Sequence, residues 1–304
     1  MRRSGHSAFP RALLRPWLAF ALAAASLGSA QAQPEIRWAV VDWPPAFVLA
    51  PDKQPARIED LGDGQFDRLF QEIAQRLPEF THRPQLVNSA RLWHFIGEGQ
   101  TLCAGPLRKS PERLQLAYLT PAVRLAPVSL VVRTAQAEAV LGGNGRASIA
   151  ELRARPELRG RLEAARSYGA ALDAAVQGPN PLPRETTARV GQTLEFVAAG
   201  RYDYTLEYAF VVEHLRRSGR LKGELSSLPL KEAGDWETGY IVCPRTPWGL
   251  EAITAIDRAI RQASTAPGFR EAYLRWLPAS MRQVQQAPMD AFYDARAKGG
   301  PQIE

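Results

Sequence analysis

Three basic residues, Arg108, Lys109 and Arg113, follow a short apolar run, Leu102-Cys103-Ala104, that breaks at Gly105 and Pro106. A basic turn at a strand end attracts anions, and arginine suits the task because its planar fork makes two parallel bonds to one carboxylate. On residue type alone, a solvated basic turn reads the same way. Catalytic chemistry finds less support. The four histidines, His6, His82, His94 and His214, are scattered without zinc-ligand spacing. The chain has no Gly-x-Ser-x-Gly elbow and no Gly-rich phosphate motif. An enzyme needs a nucleophile with its base, or a metal cluster. The sequence therefore predicts binding rather than catalysis, with no metal and no cofactor.

The elements around this loop have readable signals. Ser110 is placed as a helix cap, with Pro111 at the first helical position and Glu112 behind it. Ile36 to Asp42 reads as a buried, parallel-type strand, which Trp43-Pro44-Pro45 ends. Phe66, Leu69, Phe70, Ile73 and Leu77 share one face of a helix that follows Gly64. Ser89 is expected to cap a second helix, and Ser148 with Glu151 has capping-box spacing. Residues 112–119 read as a turn of helix, with a crossing at residues 127–133. Residues 158–163 read as a strand region, and the polar stretch from Pro278 onward as an irregular wrap. A second apolar run, Tyr240-Ile241-Val242-Cys243, carries the only other cysteine. If it neighbours the run of Cys103 in one sheet, the chain leaves a domain and returns to it.

The order of these signals resembles the type 2 periplasmic solute-binding proteins, particularly the extracellular family 3 that includes polar amino-acid receptors of ABC transporters. Ser110-Pro111-Glu112-Arg113 matches the family's Ser/Thr-x-Glu/Lys-Arg pattern, and Gly200-Arg201-Tyr202-Asp203 its Gly-Arg-x-Asp strand. The resemblance implies an α/β, two-lobed fold with a hinge between lobes. It implies a carboxylate anchor at Arg113, with Arg108 as second choice. Trp43 and Phe47 are implied at the cleft rim and Gln65 at the cleft end of the first helix. Arg166, Ser167 and Tyr168 are implied in a turn whose N–H groups receive an anion. The family's ammonium-binding aspartate falls at Tyr208, with a carboxylate displaced to Glu207, and one residue in a strand means the opposite face. The missing aspartate disfavours a free α-amino acid. Cys103 and Cys243 are expected to pair across the first lobe's sheet.

Size and charge frame the rest. The chain has 304 residues and a formal charge of +7, which falls to about +3 without Arg2, Arg3, Arg11 and Arg15 of an N-terminal leader. That is too weak for a nucleic-acid footprint. The apolar run from Leu18 and the Ala30-Gln31-Ala32 motif predict a signal peptide over 1–32 and a periplasmic address. Two cysteines suit such an oxidising compartment. The expected division is 33–132 for the first part of lobe 1, 133–238 for lobe 2, and 239–304 for the return to lobe 1. The expected function is non-enzymatic binding of a small anionic or zwitterionic solute by a monomer. Its partner would be an ABC permease or, as an alternative, a membrane sensor; a peptidoglycan-related accessory role is a further alternative.

Overall fold

The computed structural model describes residues 33–50, 54–141, 145–164, 166–178 and 180–304. The expected signal peptide and most of the glycine loop at 142–145 lie outside them. Five strands form the main sheet in the order β2-β1-β3-β10-β4: β1 (Glu35–Val40), β2 (Thr81–Leu86), β3 (Leu102–Leu107), β4 (Ala117–Leu125) and β10 (Glu237–Pro244). β1 runs parallel to β2 and β3, whereas β10 returns antiparallel between β3 and β4. Val242 pairs with Ala104, and the neighbouring Cys103 and Cys243 form a disulfide with Cα atoms 4.4 Å apart. At Gly105 an added Cβ would lie 2.5 Å from the Tyr240 carbonyl oxygen, and φ is +137°. Only glycine lets β3 pass this close to β10 and release the chain into the basic loop.

Helices cover both faces of this sheet, as its parallel strands require. On one face, Leu69, Phe70 and Ile73 of the helix Gln65–Ala74 pack with Ile36 and Trp38 of β1, and with Ile253, Ile256 and Ile260 of the helix Pro247–Ala263. Each such buried side chain contributes about 1.5–3 kcal/mol, so the helix and its start are firmly placed. On the other face, Leu92 and Ile96 of the helix Ser89–Gly97 meet Ala39, Leu102 and Ala104.

The helix start fixes the loop after β1. Asp67 Oδ2 accepts from Val48 N (2.8 Å) and Gly64 N (2.9 Å), while Gln65 N and Phe66 N donate to the Pro45 and Ala46 carbonyls. Trp43 is therefore held by a backbone clamp. Burial pushes the Asp67 carboxyl up to about 6 despite these two N–H bonds.

A second sheet has the order β8-β5-β9, all antiparallel, from β5 (Ser129–Arg133), β8 (Tyr204–Glu207) and β9 (Leu225–Pro229). Its own core holds Leu130, Val132, Leu172, Val176, Leu206 and Leu228. The chain crosses between the sheets at 126–128 and 230–236. Ala126 N donates to the buried Tyr273 hydroxyl at 2.8 Å, which ties the first crossing to the helix Pro267–Leu274. β5 belongs to the second sheet from Ser129 onward, so the boundary expected at 133 falls at the end of this strand.

Several local expectations are corrected. The stretch after the helix Pro111–Leu116 is the nine-residue strand β4, which accommodates Pro121 at a register shift against β10 on the sheet's margin. Asn88, rather than Ser89, caps its helix by accepting from Arg91 N at 2.8 Å. Ser148 donates to Glu232, which also accepts from Ile149 N, so a distant carboxylate replaces the local capping box. The polar strand near 160 shrinks to β6 (Leu162–Glu163), paired with β7 (Arg184–Glu185). The polar C-terminal stretch is a 20-residue helix, Ala279–Lys298. Its Arg296 is buried and donates to Asp257 at 2.7 Å, and Glu304 beyond it exchanges two backbone bonds with Leu119 of β4.

Candidate functional site

The basic loop is built as its sequence requires. Ser110 Oγ accepts from Arg113 N (3.4 Å), Pro111 opens the helix, and the Arg113 side chain turns back beside β3. Its guanidinium lies over the Trp93 ring, 4.6 Å from the centroid, and Nη1 donates to the Arg108 carbonyl at 2.5 Å. Arg113 makes no ion pair among the described residues. Burial and the neighbouring Arg108 charge both push its pKa down. Arg108 differs. It is ion-paired to Glu237 and donates to the Ala126 carbonyl at 3.2 Å. Burial works against its charge, yet the Tyr208 phenol and the Glu237 carboxylate outweigh it and raise its pKa. Lys109 pairs with Glu304 and stands over the Tyr240 ring.

Arg108 and Arg113 line a cavity of about 190 Å³ together with Trp43, Phe66, Tyr208 and Phe210. Tyr208 and Phe210 stack with centroids 5.0 Å apart, and Trp43 meets both edge-on at 5.7 and 5.8 Å. Trp43 comes from the loop after β1 and Tyr208 directly follows β8, so the rings bring the two sheets together. A second, more open cavity of about 610 Å³ shares Trp43 and Tyr208 and adds Asp42, Glu163, Arg166 and Ser167. A further hollow of about 450 Å³ lies where the crossings meet the helix Ala279–Lys298. Two charged groups stand on its wall, Arg146 and Asp235, 3.5 Å apart, and Arg146 also donates to the Leu230 and Gly234 carbonyls.

Beside the second cavity, Arg166 makes a bidentate pair with Glu207, Nη1 to Oε2 at 2.5 Å and Nη2 to Oε1 at 2.6 Å. Glu163 Oε2 lies 3.6 Å away, and the rings of Tyr168, Tyr208 and Trp43 stand 5.2, 5.4 and 5.7 Å from the guanidinium carbon. Burial opposes the Arg166 charge, but Glu207 overcomes it and the pKa is raised. Glu207 is buried at the end of β8, while Tyr208 stands at the N-terminal boundary of the helix Ala209–Arg217 and reaches both cavities. Tyr208 thus lines both cavities, whereas the Glu207 carboxylate is turned to Arg166.

The anion turn expected at Arg166-Ser167-Tyr168 is filled by the chain itself. Asp173 accepts from Tyr168 N (2.9 Å) and Ser167 Oγ (2.5 Å), and Gly169 N donates to Ser167 Oγ at 3.3 Å. A carboxylate already occupies the place of an anion. The buried Tyr168 hydroxyl accepts from Glu163 N at 3.1 Å, and burial pushes its pKa up to about 12. Two other residues move from cleft to core. Phe47 is buried against Phe66 and Phe70, with centroids 5.7 and 5.5 Å away, because the backbone clamp turns the loop inward after Trp43. Gln65 is fully buried and donates to the Tyr273 carbonyl at 3.0 Å, tying two helices. Neither lines the two cavities that share Trp43. Sequence reasoning missed Phe66, Phe210 and Trp93. The Tyr208-x-Phe210 spacing was a usable signal for Phe210, whereas nothing local paired Trp93 with Arg113.

No family model and no curated protein matches the sequence. Solved structures do. The probable amino-acid ABC transporter extracellular-binding protein of Bacillus subtilis is similar at TM-score 0.62 and 16% identity, over 82% of this chain and 99% of that one. A histidine kinase sensor domain with similarity to periplasmic binding proteins gives 0.58 and 16%, over 81% and 96%. The amino acid ABC transporter substrate-binding protein of Streptococcus pneumoniae bound to L-arginine gives 0.55 and 13%, over 80% and 94%. The chain therefore has the two-lobed α/β fold of periplasmic binding proteins.

Proposed function

We propose that this chain is a non-enzymatic solute-binding protein that closes around a small carboxylate-bearing molecule between its two sheets, with Arg113 as the anchor. The observation that carries the reading is the state of that side chain. Arg113 is half-buried on Trp93, lines the aromatic cavity and makes no ion pair among the described residues. A desolvated, unpaired guanidinium is costly, and a ligand carboxylate offsets the cost with two charge-assisted bonds. The cavity holds about six water volumes at roughly 30 Å³ each, a size that suits a small organic acid. Trp43, Tyr208 and Phe210 offer ring faces to an aromatic or apolar body, and Tyr208 adds a hydroxyl.

Glu207 refines the ligand class. In its bidentate pair with Arg166 it has no free claim on a ligand ammonium. The ligand is accordingly an organic acid, an N-blocked amino acid or a peptide rather than a free amino acid. The chain divides into a first lobe of about 33–128 and 237–304 and a second lobe between, hinged at the two crossings. It is exported to the periplasm and acts as a monomer that hands its solute to an ABC permease. The transporter binding proteins of the same fold favour that use, and the sensor-kinase domain favours a signalling alternative with the same cleft chemistry.

The test begins with mass spectrometry of small molecules that copurify with the protein. Calorimetry then compares N-acetyl amino acids and aromatic carboxylates with their methyl esters. The acids should bind and the esters should lose at least about tenfold in affinity, since the ester removes the charge that meets Arg113. Equal binding of acid and ester would reject the anchor.

A further inference from the structure

The second cavity contains a binding site that is already filled. We propose that Arg166 is a resident cation: it occupies the cation subsite of the cleft and so makes the protein reject ligands that carry an ammonium or guanidinium group. The inference rests on the cleft being the solute site and names which solutes it excludes.

Three aromatic rings within 6 Å of one guanidinium carbon, with a carboxylate gripping both ends of the fork, form the chemistry that captures an organic cation from solution. A structural ion pair needs the carboxylate but not the cage. Nor does it need to stand at the wall of an open cavity beside Asp42 and Ser167. The cage also spans both sheets, because Trp43 arrives from the loop after β1 while Glu207 ends β8 and Tyr208 follows it. Glu207 Oε1 accepts from Tyr208 N as well (2.7 Å), so its oxygens are spoken for.

Consequences for selection follow from charge. The tethered guanidinium has a high effective concentration at Glu207, which a free cation must outcompete. A cation that enters beside it meets a like charge in a partly desolvated place. With Arg166 paired to Glu207 and Arg108 to Glu237, Arg113 is the arginine of the first cavity without an acid partner among the described residues, while the second cavity carries Asp42 and Glu163 beside the Arg166–Glu207 pair. Position 166 is thus a specificity-determining residue, and its removal should uncover a cation site.

The probe is methylguanidinium chloride, titrated into the full-length protein by calorimetry and by thermal shift against equal sodium chloride. The unaltered protein should show no saturable binding. Arg166→Ala should bind methylguanidinium at least about tenfold more tightly than the unaltered protein and melt higher in its presence than in sodium chloride. Adding Glu207→Gln should remove the gain, and Arg166→Met, which fills the cage with an apolar chain, should not show it. If Arg166→Ala is too unstable to titrate, Arg166→Gln, closer in volume, carries the same comparison. Saturable binding to the unaltered protein overturns the proposal, as does a folded Arg166 variant that is indifferent to the probe. Since methylguanidinium has no carboxylate, failure here leaves the anchor at Arg113 standing, and failure of the acid-ester comparison leaves this result readable.

Discussion

Arg113 and Arg166 both lie against aromatic rings, and each borders a cavity walled by Trp43 and Tyr208. Arg166 has both ends of its fork on Glu207 and a second carboxylate at 3.6 Å; Arg113 gives one N–H to a backbone carbonyl and meets no acid in an ion pair among the described residues. The electrostatic outcome is opposite. Burial lowers the Arg113 pKa, with Arg108 adding to the fall, whereas Glu207 overrides burial at Arg166. A buried arginine becomes available for a ligand only where the fold leaves its charge unanswered. Sequence counts both residues alike; their partners separate them.

The strongest way to break the comparison is to loosen the frame beneath one arginine. The Cys103–Cys243 disulfide closes a loop of 140 residues, which on chain-entropy grounds contributes up to about 5 kcal/mol. The Cys103→Ser/Cys243→Ser protein should unfold at lower denaturant by about that amount. A change under about 1 kcal/mol would mean that strand pairing alone holds β3. Next comes the Arg166 side. Glu207→Gln takes the bidentate partner from a buried guanidinium, leaving it only Glu163 at 3.6 Å, and should cost about 3–5 kcal/mol in urea unfolding. Arg113→Ala should change stability by less than about 1 kcal/mol, because that side chain has no ion pair to lose. Equal losses in the two variants would erase the distinction between the arginines.

A subtler test sharpens the part that both sites share, the Trp43 loop. Asp67 has a folded pKa of about 6 against an ordinary 3.8. Because the folded value is raised, its contribution is fully present below pH 3.8 and is lost as pH rises through 6. The Asp67→Asn protein lacks this loss. Its stability relative to the unaltered protein should therefore rise between pH 4 and 6, by about 3 kcal/mol at 1.36 kcal/mol per unit. Thermal melts at matched ionic strength would show it; a difference independent of pH would place the carboxyl's titration elsewhere. His82 runs the other way. It accepts from Trp38 Nε1 (3.1 Å) and lies 3.0 Å from the Leu77 carbonyl, and burial lowers its pKa. Its contribution is present above pH 6.5 and is lost as pH falls through the lowered value. The Asp67 comparison therefore needs His82 intact in both proteins.

How much of this was legible depended on distance along the chain. The Ser110 cap, β1, the returning strand β10 and the paired cysteines were readable, since caps and apolar runs are local and two cysteines leave one pairing. β4 was hidden by Pro121, which usually argues against a strand and is tolerated here at a register shift. The C-terminal helix was hidden by a narrow apolar stripe, with Met289, Tyr293 and Arg296 as its buried residues. At the candidate site, Arg113, Trp43 and Tyr208 line one cavity. Phe47 and Gln65 were not separated from them, because a loop's inward turn depends on Asp67, Val48 and Gly64 acting together. The Arg166–Glu207 pair spans 41 residues of sequence and left no local trace.

Calorimetry of Arg113→Ala beside the unaltered protein, with the carboxylate recovered from the native protein, tests the central claim most directly. Truncating one partner of a desolvated, hydrogen-bonded charge pair costs about 2–5 kcal/mol, or roughly one and a half to nearly four decades in affinity. The account predicts a loss in that range, at unchanged melting temperature without ligand. Undiminished affinity in Arg113→Ala would contradict it and move the anchor to another side chain.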